Sequence, residues 1–337
     1  LNSSSKIESC PVAVIGCGHW GQNLVRNFAG LGALAAICDP EPEPATTLSR
    51  DFDAPIRTWA EILGDPAIPA VAIAAPAVHH SYLANEALDA GKHVFVEKPL
   101  ALDVDDATKV VAKAAKKNHI LMVGHLMRYH PVFQKLYEMV RNGDLGKLQY
   151  VYSTRLNFGK VRREENILWS FAPHDISMIL ALMGEDPIEV TATGATYLQH
   201  DVADVTTTYL RFSEGRVAHI LVSWLYPFKE QKLIVVGEKN MAVLDDGETW
   251  ERKLLLYPHS IEMDAEVLRP NKAEAVPVIV EHSEPLRNEC QHFLDCIATG
   301  DTPMTDGHEG IQVLKVLRAA EQSIAESKPI TQDAGHT

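Results

Sequence analysis

Cysteine is scarce in this chain: Cys10, Cys17, Cys38, Cys290 and Cys296 are the only five in 337 residues. The number is odd and no Cys-x-x-Cys pair occurs, which fits neither a disulfide framework nor a cysteine zinc site and predicts reduced thiols. Long apolar runs are missing too. No segment approaches the roughly eighteen uninterrupted apolar residues of a membrane span, and the stretch before the first strand has no signal-peptide core. The expected location is therefore the cytoplasm. Basic residues are outnumbered, 31 Lys and Arg against 45 Asp and Glu for a formal charge of −14, which argues against a nucleic-acid or anionic-membrane partner. The histidines include His125, His130, His200, His219, His259 and His292, scattered without metal-ligand spacing. No metal is expected. Internal repeats and low-complexity segments are absent as well.

What is present is enough apolar material, 46% of the chain, to fill two cores, and the length exceeds what one core usually serves. Up to about residue 125, short apolar runs alternate with amphipathic stretches, the pattern of a parallel sheet wrapped by helices. From Leu148 onward the strands are separated by short turns such as Ser213-Glu214-Gly215 and read as antiparallel. A helix over about 173–183 and a final helix pair, about 286–298 and 307–326, complete the pattern. The fold class is α/β, with an N-terminal Rossmann domain (8–125) and a C-terminal α/β domain (126–327) built on an open, mostly antiparallel sheet. The first five residues and the tail from about Lys328 read as loose ends.

Chemistry collects at the carboxyl ends of the first strands. The run Val12 to Ile15 leads into Gly16-Cys17-Gly18-His19-Trp20-Gly21, a Gly-x-Gly-x-x-Gly turn opening a helix. Here Gly16 makes the turn, Gly18 admits a pyrophosphate and Gly21 lets the helix pack close, while the helix N-terminus with His19 and Trp20 faces the phosphates. Asp39 ends the next strand. Its carboxylate suits a ribose 2′-hydroxyl and repels a 2′-phosphate, and no basic residue follows it, so NAD is expected over NADP. The plainer reading of Asp39 is a turn residue before Pro40.

Two further strand ends read Ala74-Ala75-Pro76-Ala77-Val78-His79-His80 and Val94-Phe95-Val96-Glu97-Lys98-Pro99. Together with the glycine turn they resemble the glucose-fructose oxidoreductase, inositol dehydrogenase and rhizopine-catabolism family (Gfo/Idh/MocA) over nearly the whole chain. The resemblance implies that Lys98 touches substrate and nicotinamide ribose, that Ala75, Pro76 and Glu97 line the cofactor, and that His80 does so unless it is structural. It also implies that His174, in Phe171-Ala172-Pro173-His174-Asp175, is the base that deprotonates the hydroxyl being oxidised. Read from the residues alone, Lys98 could be a solvated loop lysine. Pro173 suits the first turn of a helix. That would set His174 at a helix N-terminus, where the dipole lowers the imidazole pKa.

Polyol-oxidising members carry an aspartate four residues before this histidine, where this chain has Ser170. With the run Met127-Arg128-Tyr129-His130-Pro131, the departure resembles the nucleotide-sugar-oxidising members, UDP-N-acetylglucosamine 3-dehydrogenases and near relatives. A local basic cluster, Arg155, Lys160, Arg162 and Arg163 with Asn157 and Asn166, suits a diphosphate. Glu164 and Glu165 could instead neutralise it as a solvated loop. The expected substrate ligands are Lys98, Arg128, Tyr129, Arg155, Asn157, Arg162, Arg163, Asn166 and His174. The expected partners are a UDP-sugar, an aminotransferase that consumes the product, and further copies of the chain in a homodimer or homotetramer. An inositol dehydrogenase and a non-catalytic NAD-sensing regulator are the alternatives.

Overall fold

The computed structural model describes residues 10–159, 161–163, 165–264 and 267–326. The loose ends expected from sequence lie outside them, as do Lys160 and Glu164. Among the described residues two compact units emerge: one from 10–135 with 280–315, the other from 136–279 with 316–326.

In the first unit β1 (Val12–Ile15), β2 (Leu34–Cys38), β3 (Ala70–Ile73), β4 (His93–Glu97) and β5 (Leu121–Gly124) alternate with α1 (Gly21–Gly30), α2 (Pro42–Phe52), α3 (Trp59–Gly64), α4 (His80–Asp89) and α5 (Val104–Lys117). The strands form one parallel sheet in the order β2-β1-β3-β4-β5. The order reverses between β1 and β3, and such switch points are where open α/β sheets bind ligands. The helix ends are written in the sequence. Asp103 caps α5 by accepting from the Asp105 and Asp106 amides, two acids follow in its first turn, two lysines close its last, and Asn118 ends it with a φ of 54°.

The second unit begins in α6 (Pro131–Arg141) and continues through β6 (Leu148–Phe158), α7 (Ile167–Met183), β7 (Glu189–Ala195), β8 (Val205–Arg211), β9 (Val217–Ser223), β10 (Leu225–Gly237), β11 (Met241–Asp245) and β12 (Leu254–Tyr257). A hairpin of β13 (Ser260–Asp264) and β14 (Val267–Asn271) precedes the short β15 (Val276–Pro277). Eight of these strands form one sheet, antiparallel throughout except for the parallel pair β6 and β9. The central helix α7 packs on β6, β8 and β9.

Chain order and compact units part company at the end of the sequence. Of the final helices α8 (Pro285–Thr299) and α9 (Gly307–Glu326), α8 and the start of α9 belong to the first unit, whereas the sequence boundary at residue 125 assigns both to the second. Packing explains the return. Leu286, Cys290, Phe293 and Leu294 of α8 join the core of the first sheet, and the Phe293 ring meets Phe28 and Phe95 edge-on. Among the described residues no helix is long and apolar enough to cross a membrane, and no cluster of His, Cys, Asp and Glu is arranged to hold a metal ion.

Candidate active site

The glycine turn after β1 divides its work as its spacing predicts. Gly16 has a φ of +93°, and a Cβ there would lie 2.8 Å from the backbone of Ala74 and Ala75. A Cβ on Gly21 would lie 1.8 Å from the Gly16 carbonyl oxygen, whereas one on Gly18 would meet nothing within 4 Å. Two glycines therefore serve backbone packing, and the middle one leaves open the side on which a pyrophosphate can approach the amides. Asp39 closes the turn. Its Oδ2 accepts from the Cys17 amide at 2.5 Å and its Oδ1 from the Glu41 amide at 2.8 Å, so the carboxylate is held at the turn's edge. His19 and Trp20 are exposed there. These residues fit a dinucleotide.

Glu97 links this turn to the end of β4. The Trp20 indole donates to its Oε1, and its Oε2 accepts from the Lys98 amide at 3.3 Å. Burial pushes its carboxyl up to about 7, opposed by Trp20 and Lys98. Glu97 is thus a buried strut, with Gly124 beside it, where a Cβ would lie 2.9 Å from Oε2 and make the carboxylate shift. Lys98 is half-buried, Ala75 half-buried and Pro76 exposed, each just beyond a strand's carboxyl end.

Three expected ligands are buried within the first unit instead. The His80 ring is buried between the carbonyl oxygens of Pro99 and Ala75, so it shapes the loops and is not presented to a cofactor. Tyr129 lies in the first unit's core, its hydroxyl 3.0 Å from Thr305 Oγ1. Burial raises that hydroxyl's pKa well above the ordinary value, with Glu289 adding to it. Arg128 is buried, with Nη1 3.8 Å from Glu309 Oε1. Glu309 also meets His125 Nδ1 at 2.5 Å. Glu289, Thr305 and Glu309 went unrecognised in the sequence because their partners lie far away along the chain, and no local pattern marks them. Glu289 is fully buried, and its carboxyl is pushed well above the ordinary range by burial and by Glu97 and Glu309.

The second unit corrects the reading of the histidine helix. α7 starts at Ile167, where Asn166 caps it by accepting from the Trp169 amide at 3.2 Å, and Pro173 lies inside it. The buried run Ile167, Leu168, Trp169 and Ala172 draws the helix into the core ahead of the proline, which frees only the Trp169 carbonyl from the ladder. His174 is therefore mid-helix, beyond the first turn in which the dipole acts. The expected dipole effect on its ring is withdrawn, and Asn166 is a cap. His174 is half-buried, with the buried Ser170 one turn before it on the same face.

Asp175 faces elsewhere. Its carboxylate accepts from Arg155 Nε at 2.7 Å, Arg155 Nη2 at 3.2 Å and Ser153 Oγ at 2.7 Å, all buried. The Arg155 charge is thus already matched, and it is not the phosphate ligand its position in the cluster suggested. Arg162 and Arg163 remain exposed on the segment between β6 and α7, Arg162 meeting Glu165 at 3.0 Å. Asn157, at the end of β6, is half-buried.

Comparison with known proteins agrees with this anatomy. Residues 10–125 match the model of the oxidoreductase family with an NAD-binding Rossmann fold, and residues 133–243 match the GFO/IDH/MocA C-terminal domain. The UDP-N-acetylglucosamine 3-dehydrogenase of Acidithiobacillus ferrooxidans is 27% identical over 307 residues, covering 89% of this chain and 93% of that one. A crystal form of that enzyme superposes with a TM-score of 0.81 at 26% identity, over 93% of this chain and 97% of its own. The myo-inositol 2-dehydrogenase of Thermotoga maritima is 26% identical over 335 residues, covering 95% of this chain and 97% of that one. With the glycine turn, the strand-end lysine and both domain models in place, the chain belongs to the Gfo/Idh/MocA family of oxidoreductases.

Proposed function

We propose that this protein is an NAD-dependent dehydrogenase of a nucleotide sugar, oxidising a ring CH–OH to a ketone, at C3 of UDP-N-acetylglucosamine or a related UDP-sugar. The observation that carries the nucleotide part is the exposed pair Arg162 and Arg163 just ahead of the helix bearing His174, in a chain of net charge −14. A diphosphate needs local counter-charge in such a field. Bound NAD supplies the hydride acceptor. The chain's own groups do the rest: His174 takes the hydroxyl proton on a ring nitrogen, and Lys98 donates a hydrogen bond to the same oxygen as charge builds there. The keto sugar suits an aminotransferase as the next enzyme. Assembly into a homodimer or homotetramer would cover the open sheet face, where Tyr152, His219 and Tyr209 meet at tilted angles across β6, β9 and β8.

A second reading, oxidation of a free inositol, is favoured by the neutralisation of Arg155 by Asp175 and of Arg162 by Glu165. The two part on the arginines. Replacing Arg162 and Arg163 together by alanine is expected to raise KM for the UDP-sugar about tenfold or more at low salt and less at high salt, where screening already weakens the pairing. UDP should compete with the sugar nucleotide in the unaltered protein. Failure of UDP to compete at about millimolar concentration, a weak binding energy of about 4 kcal/mol, would leave the inositol reading.

Cofactor choice rests on Asp39. Asp39→Ala is expected to weaken NAD binding and narrow the preference over NADP, read by titration of both. Tighter binding of NADP than NAD by the unaltered protein would overturn the assignment.

A further inference from the structure

The sheet of the second unit gathers several segments at one end. Leu156 near the end of β6 pairs with Ser223 at the end of β9, Ser223 with Val205 at the start of β8, and Val205 with Ala195 at the end of β7. The β7–β8 loop, residues 196–204, therefore leaves the sheet beside the arginine segment that follows β6. Two contacts join them. Gln199 Nε2 donates to the Arg162 carbonyl oxygen at 2.9 Å, and the Ala203 carbonyl oxygen accepts from the Ile167 amide at 3.0 Å, at the start of α7.

One buried carboxylate anchors the loop. Asp204 is 0% exposed; its Oδ2 accepts from the Tyr197 amide at 2.6 Å and the Leu198 amide at 2.9 Å, and its Oδ1 from the Trp224 indole at 2.6 Å. Burial pushes this carboxyl's pKa up, but those three donors outweigh it and hold it below its ordinary value. What the anchor fixes in place is nevertheless open to solvent: Tyr197 is 72% exposed and Leu198 52%. A lone exposed aromatic means little. A ring whose backbone is pinned by a buried carboxylate, beside a basic segment in an acidic chain, is a different arrangement, because little ordering remains to be done when a ligand meets it.

We propose that Tyr197 is the stacking platform for the base of the nucleotide sugar, with Leu198 flanking it and Arg162 and Arg163 meeting the diphosphate. The proposal rests on the nucleotide-sugar reading above and deepens it. A nucleobase presents a flat apolar face, and base–aromatic stacks form whichever base is present. The spacing suits the ligand. His174 lies seven positions beyond Ile167 on α7, about 10 Å along the axis, a gap that a ribose and a diphosphate span between base and sugar.

Titration calorimetry of the full chain with UDP tests this. Tyr197→Ala should bind UDP about tenfold more weakly than the unaltered protein, the size of one lost base–aromatic stack, and Tyr197→Phe should bind it within about twofold. The Asp204 anchor survives both changes, since it is made by backbone amides and Trp224. The salt dependence of binding, which the arginines carry, should be the same in all three proteins. Unchanged UDP affinity in Tyr197→Ala overturns the platform and leaves the nucleotide-sugar reading standing. An equal loss in Tyr197→Phe places the hydroxyl, and not the ring face, against the ligand and overturns it too. A loss accompanied by a flattened salt dependence means that the loop only props the arginine segment, and the platform falls. Absence of UDP binding by the unaltered protein at about millimolar concentration removes the nucleotide-sugar reading and the platform together.

Discussion

Replacing either Lys98 or His174 by alanine is expected to lower turnover about a hundredfold or more while leaving NAD affinity within a few-fold. The two effects separate because the groups that fit the dinucleotide are others. Gly16, Gly18 and Gly21 shape the turn, and Asp39 is fixed by the Cys17 and Glu41 amides. Lys98 stands beyond the end of β4, its backbone amide held by Glu97, and in the proposed reaction its ammonium would serve as the cation for an oxygen that gains negative charge. His174 is the half-buried imidazole of α7. Steady-state kinetics with a parallel NAD titration reads both quantities. Near-normal turnover in either variant removes that residue from the mechanism, and a large loss of NAD affinity reassigns it to the cofactor.

Asp175→Ala should destabilise the protein by about 3 to 5 kcal/mol, the usual consequence of stranding one member of a buried ion pair. Arg155 and Asp175 have side chains only 10% and 2% exposed, so the guanidinium left behind cannot be rehydrated without opening the layer between β6 and α7. The contrast is Arg162, whose side chain is 47% exposed in its pair with Glu165. Arg162→Ala should change stability by no more than about 1 kcal/mol. Urea unfolding of the two variants makes the comparison, and the double variant Arg155→Met, Asp175→Leu should recover most of the loss because it removes the unpaired charge. A small loss for Asp175→Ala, comparable with that of Arg162→Ala, would mean that water reaches Arg155 and that the pair does not anchor α7.

Much of the first unit is legible in the sequence because its signals are local. A strand, a three-glycine turn and a helix sit within twenty residues, and Asp39 ends the very next strand; periodicity and turn chemistry suffice to find them. The second unit yields its mostly antiparallel sheet for the same reason. What stays hidden depends on distant partners. Arg155 reads as a free cation beside a basic loop until Asp175 is seen beneath it, and Tyr129 reads as a ligand until Thr305 and the returning α8 enclose it. His80 reads as a cofactor neighbour until both of its nitrogens are found on carbonyls. Pro173 misled through a sound local rule, since proline favours a first helical turn. Here the buried apolar run before it and the Asn166 cap outweigh that preference, and tertiary burial commonly overrides a single residue's propensity.

The most direct test of the account is NADH formation by the purified protein given NAD and, separately, UDP-N-acetylglucosamine, related UDP-sugars and free inositols. Oxidation of a UDP-sugar, abolished by Lys98→Ala and by His174→Ala, is the result this account predicts. Brisk oxidation of an inositol with no turnover of any UDP-sugar would contradict it.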